Sequence, residues 1–323
     1  MIATGLRNKL IVIAAAVILA VGGTTYFFIS RSHEAITLAL PHNFGGPHAI
    51  ACQSRTSCVV IGENYLARGG FIGKVDLQSS SITFTSLERR IPVATALACY
   101  SSNHCLVALV SHGPIHSLAQ FSPSTVATTG VTYITVPSQF QQVNAIYCLS
   151  DTTNCLVAGK AAGDYNFAFQ LYSTTTSTFI GEPVIKRLSD IGGIYDMSCD
   201  QSGNCLAVLE NFDGTAGIVD AFSLEGISPN NLTNLSLTEI STPPANLLLT
   251  VSCSATNCLV GGSDASSIHG LLIKVDMTSP AYSYQQLTLP KNQGPILAVS
   301  TANKIVAGGY PVFSNFGDLA TIN

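Results

Sequence analysis

The sequence predicts an all-β chain folded as a six-bladed β-propeller closed by an N-terminal strand, and three observations carry that expectation. Five cysteine pairs, Cys52/Cys58, Cys99/Cys105, Cys148/Cys155, Cys199/Cys205 and Cys253/Cys258, recur along the chain at a spacing of roughly fifty residues, a period that marks repeat architectures. Runs rich in Val, Ile, Thr, Tyr and Phe lie between the pairs, punctuated by Gly, Pro, Ser and Asn. Outside the N-terminus there is no long stretch of helical periodicity. Four strand-like runs per unit, radially repeated, make a propeller blade. Parallel β-helices have shorter periods, and helical solenoids need helices that the pattern lacks.

The chain opens with an apolar run, Leu10 to Ile29, preceded by Arg7 and Lys9. Its length suits a bilayer-crossing helix, and the flanking charges place the N-terminus in the cytoplasm and the remainder outside. A cleaved signal peptide is the alternative, with Ser30-Arg31-Ser32 as a weak processing site. The expected division is therefore 1–32, a cytoplasmic stub and transmembrane anchor, and 33–323, the propeller. Either reading sends the propeller to the periplasm or outside the cell.

The segment AITLALP (35–41) matches the last strand of later units, such as TYITVP and YQQLTLP. It is expected to pair with the last strand of the chain, near 317–323, and so close the ring and remove free sheet edges. Each unit then begins with a cysteine hairpin: IACQSRTSCVVIG, LACYSSNHCLVAL, IYCLSDTTNCLVAG, MSCDQSGNCLAVL and VSCSATNCLVGG. Apolar residues flank a cluster of turn-forming polar ones, as in a β-hairpin with a longer loop. A sixth copy, LAVSTANKIVAGG, is read with Val299 and Lys304 at the cysteine positions. Two more strands follow in each unit, FIGKVDL (71–77) and SITFTSL (81–87) in the first, HGLLIKVDM (269–277) and AYSYQQLTLP (281–290) in the fifth. An insertion, EGISPNNLTNLS (225–236), separates the third and fourth strands of unit four. It holds two sequons, at Asn231 and Asn234, which are glycan sites only in a host with that machinery and otherwise loop polar residues.

Ten cysteines, all paired locally, read as a disulfide framework and an oxidising compartment. The first of each pair ends an inner strand and the second begins its neighbour, within bridging reach. A bridge around so short a loop stabilises by about 2–3 kcal/mol in the chain-entropy model. Zinc would need four ligands together, and no unit sets a His or second Cys pair beside the first. No metal and no cofactor is expected.

At the level of pattern the units resemble the kelch repeat. The likeness rests on Gly after the second strand (Gly261-Gly262, Gly308-Gly309), Val-Asp in the third (Val75-Asp76, Val275-Asp276) and a Leu-x-x-Pro-like end to the fourth. The kelch tryptophan is absent, since the chain has no Trp. The resemblance implies a propeller fold often used for binding and carries no catalytic residue across.

Charged residues are 10% of the chain and the net charge is −4, against about 25% charged in ordinary domains, so there is no whole-protein drive toward nucleic acid. So few carboxylates also suggest tolerance of low pH. In a propeller the blade-to-blade connections lie on the face opposite the cysteine turns. If the disulfides stiffen their own face, the opposite loops are the place to look for binding. Arg89, Arg90, Lys186, Arg187 and Lys291 fall in those connections, with Tyr65, Arg68, Tyr165 and Tyr310 in or beside neighbouring loops. Such a basic and aromatic ring suits a protein or glycan partner. The His112-Gly-Pro-Ile-His116 pair lacks a nearby carboxylate and is a poor metal site. There is no sialidase box, G-x-S-x-G elbow, Walker loop, dinucleotide fingerprint or H-E-x-x-H. The leading expectation is a membrane-anchored, extracytoplasmic binding module. A hydrolase or lyase acting on carbohydrate or lactone, with loop carboxylates and histidines converging at the axis, is the alternative.

Overall fold

The computed structural model describes residues 36–39 and 44–322, less 55, 65–68, 77, 80, 88–92, 111–115, 126–129, 150–152, 163–165, 188–190, 212–216, 224–231, 233–234, 241, 267, 279–281, 290–292, 302–304 and 312–317. Those residues form six four-stranded antiparallel sheets. Blade 1 comprises β2 (Phe44–Cys52), β3 (Ser57–Asn64), β4 (Gly69–Asp76) and β5 (Ser81–Ser86). Blade 2 comprises β6 (Val93–Ser101), β7 (His104–Val110), β8 (His116–Phe121) and β9 (Thr132–Thr135). Blade 3 follows with β10 (Phe140–Cys148), β11 (Asn154–Ala161), β12 (Asn166–Ser173) and β13 (Thr178–Arg187). Blade 4 holds β14 (Ile191–Cys199), β15 (Asn204–Asn211), β16 (Gly217–Ser223) and β17 (Thr238–Ile240). Blade 5 holds β18 (Ala245–Ser254), β19 (Asn257–Asp264), β20 (Gly270–Asp276) and β21 (Ser283–Gln286).

The sixth sheet joins the two ends of the chain. It is built from β22 (Gln293–Ser300), β23 (Ile305–Pro311), β24 (Asp318–Ile322) and, at its outer edge, β1 (Ile36–Ala39). The register runs from Ile36 opposite Thr321 to Ala39 opposite Asp318, so the N-terminal strand completes the last sheet.

The apolar core is not one mass but six wedges, each between two neighbouring sheets. Phe167, Phe169 and Leu171 of blade 3 meet Ile194, Met197 and Phe222 of blade 4; Val60 and Phe71 of blade 1 meet Ala298 of blade 6, which closes the circle. Because each sheet packs on both faces, the second strands are near-continuous apolar runs, such as CLVAG in β11, buried along their length. Leu232 and Leu235 from the insertion of unit four fold back into the wedge between blades 3 and 4, and the sequons at Asn231 and Asn234 lie outside the described residues.

All five disulfides form, Cys52–Cys58, Cys99–Cys105, Cys148–Cys155, Cys199–Cys205 and Cys253–Cys258, with Cα–Cα separations between 3.8 and 4.0 Å. Each joins residues directly opposite one another on the first two strands, as Cys148 faces Cys155. Five disulfides point to an oxidising, extracytoplasmic environment.

The register corrects the reading of the sixth copy. In blade 5, Thr250 pairs with Gly261 and Cys253 with Cys258; in blade 6, Ala298 pairs with Gly308 and Ser300 with Val306. Counting on, Thr301 and Ile305 occupy the cysteine positions, not Val299 and Lys304. Val299 instead lies two positions deeper, buried against blade 5.

A bulge recurs in every inner strand four positions before the first cysteine or its equivalent, at His48, Thr95, Asn144, Tyr195, Leu249 and Leu297. It explains part of the glycine pattern. A Cβ at Gly262 would come within 2.1 Å of the Leu247 carbonyl oxygen, and one at Gly159 within 1.9 Å of the Gln142 oxygen, both on the bulged backbone. The Val-Asp positions are structural too: the Asp76 carboxylate accepts the amides of Gln78 and Ser79, and that of Asp276 accepts the amide and hydroxyl of Thr278. These Asx-type turns begin the hairpin to the fourth strand.

The apolar segment Leu10–Ile29 lies outside the described residues. Among those that are described, no helix is long and apolar enough to cross a membrane.

Candidate functional site

Six inner strands running side by side around one axis leave a gap between them, and the side chains they aim inward decide whether it is filled. Just inside the cysteines those side chains are small in five blades of the six. The residue immediately before the first cysteine is Ala51, Ala98, Tyr147, Ser198 or Ser252, and Ser300 in blade 6. The result is a cavity of about 400 Å³ on the axis, lined by all six blades. Its floor lies no deeper than Ala49, Asp196 and Thr250, and its mouth is at the cysteine turns, where Gln201, Ser254 and Ala255 are exposed. Binding pockets for small molecules have volumes of roughly 300–1,000 Å³.

This places the cavity on the face that sequence reasoning set aside. The bridges do stiffen that end, but they lie within each sheet, from first strand to second. They therefore leave the axis open, and the small residues beside them widen it.

Asp196 is the chemical feature of the wall. It sits on β14, three positions before Cys199, and its carboxylate spans the seam to blade 5. One oxygen accepts the Val251 amide at 2.9 Å and the Thr250 hydroxyl at 3.1 Å, while the other accepts the Met197 amide at 2.8 Å. Protein atoms crowd it on most sides, although it keeps some surface toward the cavity. Burial pushes its carboxyl up to about 7, the hydrogen bonds from Val251, Met197 and Thr250 opposing that rise. Thr250 repeats the seam bond in neutral form, its hydroxyl accepting the Val299 amide at 3.3 Å. One level higher, Ser198 accepts the Cys253 amide and Ser252 the Thr301 amide, at 3.0 and 3.1 Å.

The second carboxylate at the mouth, Asp200, is already committed to its turn. It accepts the amides of Ser202 and Asn204 and the Asn204 side-chain amide. No Lys, Arg or His lines the cavity among the described residues, and no cluster of three or more His, Cys, Asp or Glu that would hold a metal occurs among them.

Of the ring expected on the opposite face, Arg89, Arg90, Lys291, Tyr65, Arg68 and Tyr165 lie outside the described residues. Lys186 and Arg187 are not in a blade-to-blade connection but within β13, paired with Phe167 and Asn166, because that outer strand runs longer than its counterparts. Tyr310 likewise lies inside β23. Asp196, Thr250 and Ser252 went unmarked in the sequence. The signal was there: the six copies carry Ala49, Ala96, Ala145, Asp196, Thr250 and Ala298 three positions before the cysteine or its equivalent, and Asp is the one charged member.

No family model matches the chain, so the likeness to kelch repeats stays at the level of pattern, and no curated protein matches it. Solved structures do match. The PQQ-bound form of an aldose sugar dehydrogenase from Streptomyces coelicolor superposes with a TM-score of 0.58 at 10% identity, over 90% of this chain and 98% of that one. Kuenenia stuttgartiensis hydrazine synthase gives 0.55 at 8% identity, over 87% and 96%. A structure described as the Dos1 propeller gives 0.47 at 13% identity, over 85% of this chain and 67% of that one. At such identities the first two likenesses show the β-propeller fold and nothing of the chemistry.

Proposed function

We propose that this chain is an extracytoplasmic binding module that takes a small polar ligand into the axial cavity at its disulfide-bonded end, held at the membrane by its N-terminal apolar segment. The observation that carries the reading is the cavity itself: about 400 Å³, contributed by all six blades, with the hydroxyls of Ser198, Thr250, Ser252, Ser300 and Thr301 and the Asp196 carboxylate among apolar lining residues. Larger residues would fill it, yet in five of the six blades the position beside the cysteine or its equivalent holds Ala or Ser, blade 3 alone having Tyr147. The disulfides and the seam bonds from Asp196, Ser198, Thr250 and Ser252 make a rigid frame, which lowers the ordering cost of binding.

The hydrolase or lyase reading asks for two converging carboxylates, or a carboxylate and a His, with free lone pairs. Within the cavity the described residues offer Asp196 alone, since Asp200 is taken up by its turn. Binding is favoured on that ground.

The test is Ala51→Leu, which puts a branched side chain into the cavity without touching Asp196. Purified residues 33–323 and the variant are compared by ligand-observed NMR against a panel of small polyols, amines and carboxylates. At least one compound is expected to bind the wild type and to lose its signal in the variant. A panel in which every binder is retained by Ala51→Leu overturns the reading.

A further inference from the structure

Five sister positions serve as an internal control on Asp196. At the same register, against the same neighbours, the other blades carry Ala49, Ala96, Ala145, Thr250 and Ala298. Four seams therefore close with no side-chain acceptor there at all. The fifth closes with a neutral hydroxyl that makes the same bond to the same amide, Thr250 to Val299 in place of Asp196 to Val251. The ring does not need a negative charge at this level, and putting one there carries a desolvation cost that Thr would avoid.

The surroundings say what the charge suits. Asp196 lies at the floor of the axial cavity, with one of its carboxylate lone pairs unused by the three donors it accepts. Above it stand the hydroxyls of Ser198, Ser252 and Thr301, and no cationic side chain faces it across the cavity among the described residues. Among the described residues, then, no protein cation reaches it, and a ligand can supply one. The space above the carboxylate, about 400 Å³, is much larger than a bare metal ion, and among the described residues it holds no second free carboxylate to complete a metal shell.

We infer that the axial cavity binds a small, hydroxylated organic molecule through a protonated amine, which ion-pairs with Asp196 while the serine and threonine hydroxyls meet its polar body. This rests on the axial cavity being a binding site and adds the class of ligand. A charge-assisted hydrogen bond in a partly desolvated site is the kind of contact that discriminates between otherwise similar molecules.

Glucosamine, glucose and glucuronate share a ring and differ in charge, so the three are titrated at neutral pH into wild type, Asp196→Thr and Ala51→Leu, with affinity read by NMR. Asp196→Thr copies blade 5 and keeps the seam bond, so it is expected to fold. Glucosamine is expected to bind the wild type at least tenfold more tightly than glucose, with glucuronate weakest. It should lose at least tenfold in Asp196→Thr and all measurable binding in Ala51→Leu. If glucose or glucuronate binds as well as glucosamine and Ala51→Leu abolishes it, the cavity stands as a binding site and the amine inference falls. Glucosamine binding that survives Asp196→Thr also overturns it, as does binding of none of the three, which leaves the cavity reading to the wider panel.

Discussion

Raising the pH should weaken this fold, contrary to the usual behaviour of a protein with few basic partners for its carboxylates, and Asp196 is the reason. Its carboxyl is held at about 7 in the folded chain against 3.8 when solvated, burial being the main cause. Between those values the native state binds a proton that the unfolded chain has released, so stability falls as pH rises through that window. The full difference corresponds to about 4 kcal/mol, fully present below about pH 4 and lost by about pH 7. Asp220 acts in the same direction, its carboxyl pushed up to about 6 by burial and then by Glu239 across the strand pair. The assay is urea unfolding at a series of pH values from 4.5 to 8.5, with Asp196→Thr alongside. Wild type should unfold at lower urea as pH rises, and the variant should keep only the shallower slope of Asp220. The exposed Asp76, Asp264 and Asp276 have carboxyls lowered chiefly by side-chain hydrogen bonds to Ser79, Ser266 and Thr278, and oppose the trend only at the acid end. A wild-type stability that stays level or climbs from pH 5 to pH 8, or an unchanged slope in Asp196→Thr, refutes the reasoning.

Replacing Cys99 and Cys105 together by Ala should cost about 2–3 kcal/mol, read as a lower urea midpoint under non-reducing conditions. The fold should persist, because four bridges remain, as do the five wedges other than the one between blades 1 and 2 to which both cysteines belong. Gly159→Ala drives a methyl group into the Gln142 carbonyl and should destabilise by about 2–3 kcal/mol. Gly193→Ala meets nothing within 4 Å and should stay within about 0.5 kcal/mol of wild type; equal effects from the two would contradict the bulge geometry. Removing residues 36–39 strips β24 of its outer partner and exposes an unpaired edge, so size-exclusion chromatography should report association that the longer chain does not undergo.

The two halves of the site differed in how readable they were. Cys99 and Cys105 announce a hairpin through local spacing, and a local turn brings them together whatever the rest of the chain does. Asp196 announces nothing locally. Whether a side chain on an inner strand faces the axis or a neighbouring sheet depends on strict alternation, and the bulge at Tyr195 shifts that alternation by one residue. The sixth copy failed for a related reason: its turn is one residue shorter than that of the fifth copy, so matching STAN to SATN misplaced the cysteine equivalents that pairing assigns to Thr301 and Ile305. The sequence reading puts Lys186 and Arg187 in a blade-to-blade connection, whereas β13 extends through them.

By itself, then, the sequence determined the repeat, the hairpins and their bridges, and the strand that joins the ends of the chain. These follow from contacts between residues near in sequence, or from periodic apolar patterning that only one radial arrangement buries. Tertiary structure alone decided that the cavity opens at the bridged end and that one carboxylate stands in its wall. Both depend on six strands, each some fifty residues from the next, converging on an axis, and on a bulge that turns their side chains toward it.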